Sequence, residues 1–286
     1  MRILVSLAFI VALATANAEG HIDTLKRVAE TGEFRIGYVP DAPPLSFRDS
    51  ENNAVGYSID LCRRIASAVR DELKLEEIKI VFTPLVTMEE RLSAIENGDV
   101  DIECGATTVT LSRRERVDFT LMTFITGSAV LSLNSEPIDG IDGLDGERVA
   151  VLRGTTTESV MRSVNEVNGF NIKLKLIDSH DEGMALLNAG KVGGYASDRA
   201  MLIGQVFRND NATKEYALTS NVLSFEPYAL MIPRGDTEFR LVADKALASL
   251  YRGLGIRRLY HNWFGRFGEP LSPIVEAMYE FQAVGE

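Results

Sequence analysis

Three arginines, Arg113, Arg114 and Arg116, stand a few residues after the small-residue loop Ala106, Thr107 and Thr108 in a chain that is otherwise acidic. Loop N–H groups, threonine hydroxyls and a forked guanidinium suit a carboxylate, because arginine can grip both of its oxygens at once. Composition alone also allows a solvated turn. Asp198 closes the apolar stretch YASD, where it could receive an ammonium or cap a helix starting at Ala200. RGTTTES, with Thr155 and Thr156, has the form of a helix start. Its free N–H groups and the helix dipole make an anion site, although ordinary capping uses the same letters. His180, in IDSHDEG, fits either a turn or a pocket donor.

Other chemistries are poorly served. The chain carries 30 Lys and Arg against 41 Asp and Glu, a net charge of −11, which disfavours nucleic acid as a partner. No GxxxxGK[ST], no GxGxxG after a strand and no GxSxG elbow occurs. The three histidines, His21, His180 and His261, lack metal-ligand spacing, so no cofactor or metal is expected. Cys62 and Cys104 could meet as a disulfide in an exported protein or remain two buried thiols. Nothing points to catalysis, and binding is the simpler reading.

The elements that must position these residues read as alternating strands and helices. Residues 1–18, with Arg2, an apolar run and small residues at Ala16 and Ala18, have the form of a secretory signal peptide cleaved after Ala18. TLKRVAETG reads as a helix stopped by Gly32, FRIGYV as a strand and PDAPPLSF as a proline turn. GYSIDLCRRIASAVRDEL places Ile59, Cys62, Ile65, Ala66 and Val69 on one helical face. IKIVF, DVDIECG, ERVAVL, IKLKLI and VGGYAS read as strands, and MEERLSAIENG and DEGMALLNAG as helices, the grammar of parallel α/β sheets. It restarts after about residue 127. TGSAVLSL and NVLSFEPYALMI look like connections, placing residues 24–126 with 228–286 in one discontinuous lobe and 127–227 in the other. A cleft between such lobes is where a small ligand sits.

Taken in order, TLKRVAETGEFRIGY, VGYSIDLCRRIASAV, VTMEER, IENGDVDIECGATT with Arg113 and VDFT, GTTTE, SHDEG and HNWF resemble the bacterial extracellular solute-binding proteins of the polar amino acid class. Within it they look most like the periplasmic glutamate/aspartate-binding proteins of ABC importers. The resemblance implies a type II periplasmic-binding-protein-like α/β fold, each lobe a sheet flanked by helices, joined by two hinge strands. It also implies a periplasmic, monomeric non-enzyme that closes on one polar amino acid and docks on an inner-membrane permease.

By this resemblance Arg113 meets the ligand α-carboxylate with Thr108 and the backbone at Ala106, and Asp198 receives the α-ammonium. Thr155 and Thr156 approach from the other lobe, and Arg91 and His180 surround the side-chain carboxylate. Val39 stands where the acidic binders carry arginine, Met88 where they carry serine and Glu90 where they carry asparagine. Two alternatives use similar scaffolds. One is a periplasmic cyclohexadienyl dehydratase acting on prephenate or arogenate, with Glu158 or His180 as general acid. The other is a sensory input module.

Overall fold

The computed structural model describes residues 22–208, 216–268 and 270–285. The expected signal peptide, residues 1–18, lies outside them. The first helix, α1 (Thr24–Thr31), is capped by the Asp23 carboxylate and ends on Gly32, whose φ of 68° suits a residue without a side chain.

Two five-stranded sheets follow from the alternating pattern. In the first, β1 (Glu33–Tyr38) lies between β5 (Lys79–Pro84) and β6 (Ile102–Glu103). These three run parallel, and β13 (Glu226–Ile232) and β7 (Asp118–Thr126) complete the order β5-β1-β6-β13-β7. The second has the order β10 (Lys173–Ile177), β9 (Arg148–Leu152), β11 (Gly194–Asp198), β8 (Ser128–Leu133) and β12 (Tyr216–Leu218). Where the sequence offers only a proline turn, β2 (Asp41–Ala42), β3 (Ser46–Arg48) and β4 (Ala54–Val55) form a small antiparallel sheet.

The helix α2 (Tyr57–Glu72) buries its expected face. Ile59, Cys62, Ile65, Ala66 and Val69 join Phe34 and Ile36 of β1 in one core. Each fully buried aliphatic side chain there contributes about 1.5–3 kcal/mol. Cys62 is joined to Cys104 by a disulfide, with Cα atoms 6.4 Å apart, which settles the alternative left open above. Helices α8 (Thr237–Arg252), α9 (Gly255–Phe264) and α10 (Pro273–Gln282) contribute Phe239, Phe264 and Tyr279 to the same core.

The chain passes between sheets twice. It leaves β7 at Thr126 and enters β8 at Ser128, so the stretch TGSAVLSL lies almost wholly in the second sheet. It returns between β12 and β13, and only the later half of NVLSFEPYALMI is strand. The two passages press together at Gly127, where a Cβ would lie 2.3 Å from the Ser224 carbonyl oxygen.

Candidate functional site

A short helix, α4 (Leu111–Arg114), directs Arg113 inward; Thr110 caps it by accepting from the Arg113 N–H at 3.2 Å. The guanidinium donates to the Thr108 carbonyl at 2.7 Å and, across to the second lobe, to the Gly154 carbonyl at 3.4 Å. It is thus held by two carbonyls, with its charge available to a carboxylate. Burial, and then the neighbouring Arg91 cation, lower its pKa to about 10, which still leaves it protonated at neutral pH. Arg114 is exposed, and Arg116 binds Glu89 and Glu96 on the outer face.

Opposite Arg113, α5 (Thr156–Asn168) begins with Thr155 as its cap. The Thr155 hydroxyl accepts from the Glu158 N–H at 3.2 Å and donates to the Leu152 carbonyl at 2.7 Å. Thr156 and Thr157, in the first turn, reach the same cavity. Helix geometry leaves first-turn N–H groups without intrahelical partners, so this end favours an anion.

Asp198 ends β11 with its carboxylate buried. Oδ1 accepts from Ser128 at 3.3 Å and Thr157 at 3.1 Å, and Oδ2 accepts from the Tyr228 hydroxyl. Burial first, and the nearby charge of Glu226 second, push its pKa up to about 6, while those hydroxyls pull it down. A buried carboxylate held only by hydroxyls suits a cation.

His180 opens α6 (His180–Asn188) behind the Ser179 cap. Burial foremost, aided by the Arg91 charge, lowers its pKa, so the ring is neutral at pH 7. Its Nδ1 meets the hydroxyl of Tyr195, which burial keeps protonated. Where Tyr195 donates, the neutral ring keeps its proton on Nε2 as a donor; where it accepts, Nε2 is left as an acceptor.

All ten sequence-selected residues line one cavity between the two sheets: Val39, Met88, Arg91, Ala106, Thr108, Arg113, Thr155, Thr156, His180 and Asp198. A larger groove lies at the back of the crossover, but Arg199 is the one charged residue among its described lining. A further groove shares Arg113, but its Arg153 and Asp178 are exposed; buried charge, with Arg91, Arg113 and Asp198 none more than 9% exposed, singles out the first cavity as the candidate ligand site.

The sequence reading missed several buried polar groups around it. Glu103, fully buried on β6, accepts from Arg91 Nε at 2.8 Å and from Thr107 at 2.8 Å, and Arg91 also donates to Thr107. Arg91 therefore reaches the cavity already paired. The loop crosses this pair at Gly105, where a Cβ would sit 2.2 Å from Glu103 Oε1 and 2.9 Å from Arg91 Nη2. Glu226 at the start of β13, Tyr228 two residues on, and Asp41 on β2 are also buried. Their neighbours hid them: Glu226 follows Phe225, yet the Phe is 71% exposed and the Glu 2%.

Two α/β lobes with a charged cavity between them define the class of two-lobed solute-binding proteins. The chain belongs to the bacterial extracellular solute-binding proteins, family 3, whose pattern matches residues 34–266. It is 32% identical over 273 residues to an L-glutamate/L-aspartate-binding protein of Pseudomonas aeruginosa, covering 94% of this chain and 89% of that one. A glutamate/aspartate import solute-binding protein of Escherichia coli is 26% identical, covering 84% and 79%. Among solved structures, an ancestral arginine-binding protein bound to arginine superposes with a TM-score of 0.72 at 28% identity, covering 82% of this chain and 99% of that one. No helix among the described residues is long and apolar enough to cross a membrane.

Proposed function

We propose that this chain is the periplasmic substrate-binding component of an amino acid ABC importer, closing as a monomer on a polar L-amino acid, glutamate or aspartate, and delivering it to an inner-membrane permease. The observation that carries this reading is the pairing of buried Arg113 and buried Asp198 across one cavity, a matched site for the two charges of a zwitterion. The lobes divide at residues 126/127 and 227/228, close to the passages from β7 to β8 and from β12 to β13. Arg113 and the α5 N-terminus take the α-carboxylate, and Asp198 takes the ammonium. Arg91 and His180 face the side chain, with Val39 and Met88 as apolar walls. The acidic ligand is supported by the Pseudomonas aeruginosa relative.

A second reading, a neutral amide side chain such as glutamine, is favoured by the Arg91–Glu103 pair. Arg91 there already has a buried counter-charge, so an added carboxylate would share it. The dehydratase reading is less well served. Glu158 binds the Gly154 N–H and Arg162, which outweigh its partial burial and hold its pKa below the ordinary value, the wrong direction for a general acid.

The test is calorimetry of purified protein, refolded to strip carried ligand, against the common amino acids and prephenate. Glutamate or aspartate should bind best, and Arg113→Ala should weaken that binding by about 2–5 kcal/mol, since it removes one partner of a buried charge pair. Equal affinity in parent and variant would overturn the carboxylate assignment. Turnover of prephenate would restore the enzyme.

A further inference from the structure

Glu226 opens β13 at the point where the chain returns to the first lobe, and it is 2% exposed. Its Oε2 accepts from Thr108 Oγ1 at 2.7 Å and from Thr156 Oγ1 at 2.7 Å. Its Oε1 accepts from Ser224 at 2.5 Å, and the Ser128 hydroxyl, 3.4 Å away, has its one proton shared between this oxygen and Asp198. An ionised carboxylate can only accept, and each hydroxyl has one proton to give. Both threonine protons therefore point at Glu226, and the oxygens of Thr108 and Thr156 present lone pairs to the cavity they line. Such oxygens can accept from an ammonium, but they have no proton left for a carboxylate. Glu226 itself stands behind them.

We propose that Glu226 is a positioning residue for amino-group recognition: it commits Thr108 of one lobe and Thr156 of the other as acceptors, so that both join Asp198 in binding the ligand ammonium. This rests on the amino-acid-binding reading above. It also assigns the α-carboxylate to Arg113 and backbone N–H groups, with neither of these hydroxyls donating to it. Because the hydroxyl oxygens of Thr108 and Thr156 are only 3.4 Å apart, the full acceptor set is assembled only when the lobes are closed.

The experiment compares L-glutamate, or the amino acid chosen by the ligand screen, with its 2-hydroxy acid, in which a hydroxyl replaces the ammonium. It is run near pH 8, where Asp198 is ionised. In Glu226→Gln the amide donates to one threonine and turns that threonine's proton toward the ligand. Amino acid binding should weaken about tenfold or more, the effect of one charge-assisted hydrogen bond, while the 2-hydroxy acid is little affected. An unchanged variant, or equal losses for both ligands, overturns the inference. Should Glu226→Gln fail to fold by circular dichroism, Thr108→Val and Thr156→Val report instead; each should penalise the amino acid selectively, and equal penalties overturn the role. A parent protein that binds no amino acid sinks the binding reading and this inference together, whereas a binding parent with a silent Glu226→Gln sinks the inference alone.

Discussion

Burial acts on Arg113 and Asp198 in opposite directions. It takes the guanidinium down to about 10, where it stays charged, and the carboxyl up to about 6, where it is still mostly ionised at neutral pH. The groups facing Asp198 are Glu226 and Tyr228 of β13, Tyr195 on its own strand, and Arg113 of α4. In the unfolded chain the same carboxyl titrates near 3.8. Between these values the folded protein keeps a proton that the unfolded chain has lost. Stability of the ligand-stripped protein should therefore fall as pH rises from about 4 to about 6, by roughly 3 kcal/mol in all. An ammonium ligand reverses the sign at this group, because it favours the carboxylate. Thermal melts at pH 5 and pH 7.5, with and without ligand, should show the larger ligand-induced rise at pH 7.5. Equal rises would mean that Asp198 does not meet the ammonium.

The loop carrying Ala106 and Thr108 is anchored by a neighbouring element rather than by its own strand, since β6 is only two residues long. Helix α2 grips it twice: the Cys62–Cys104 disulfide holds its start, and Ser58 donates to the Gly105 carbonyl at 2.7 Å. The disulfide spans 42 residues, a loop whose closure is worth about 4 kcal/mol in the chain-entropy account. The double variant Cys62→Ala with Cys104→Ala should lose about that much and melt roughly 10 °C lower, with weaker ligand binding as the loop loosens. A drop of only one or two degrees in differential scanning calorimetry would mean that packing around α2 restrains the unfolded chain as well as the bond does. Much of this layer was legible in the sequence, because α2 carries an apolar face at helical spacing and α5 and α6 begin behind the capping hydroxyls of Thr155 and Ser179. The cavity wall was legible where hydroxyls and arginines stand in loops. What escaped were acids inside strands: Glu103 and Glu226 are buried among partners 2 to 118 residues away, and no local pattern carries the distant ones. The small sheet β2 to β4 escaped for a related reason, its prolines reading as a turn although its extended residues pair.

At the scale of the whole molecule, the closed arrangement is held by contacts that do not involve a ligand. Asp41, on β2 of the first lobe, accepts from the His180 N–H at 2.7 Å and the Asp181 N–H at 3.3 Å, capping α6 of the second lobe. Gln205 of α7 (Arg199–Arg208) adds a bond to the Asp41 carbonyl at 2.5 Å. Asp41 is not among the cavity-lining residues, so its carboxylate acts on closure rather than on ligand contact. A ligand shifts the balance of open and closed forms only by its greater affinity for the closed one, and any contact made solely in the closed form adds to that preference. Water satisfies Asp41 and the helix N-terminus when the lobes part, so the net value of this cap is about 2 kcal/mol, typical of bonds to a charged group. Asp41→Ala should raise the dissociation constant roughly thirtyfold, chiefly through faster release. The ranking of ligands should stay close to the parent's, since the side chains lining the cavity are unchanged and only the backbone cap beneath His180 is lost. Stopped-flow release rates for two ligands in parent and variant separate these effects: a common acceleration identifies a closure latch, a change in ranking would put Asp41 in the pocket, and an unchanged rate would mean that ligand contacts alone keep the lobes together.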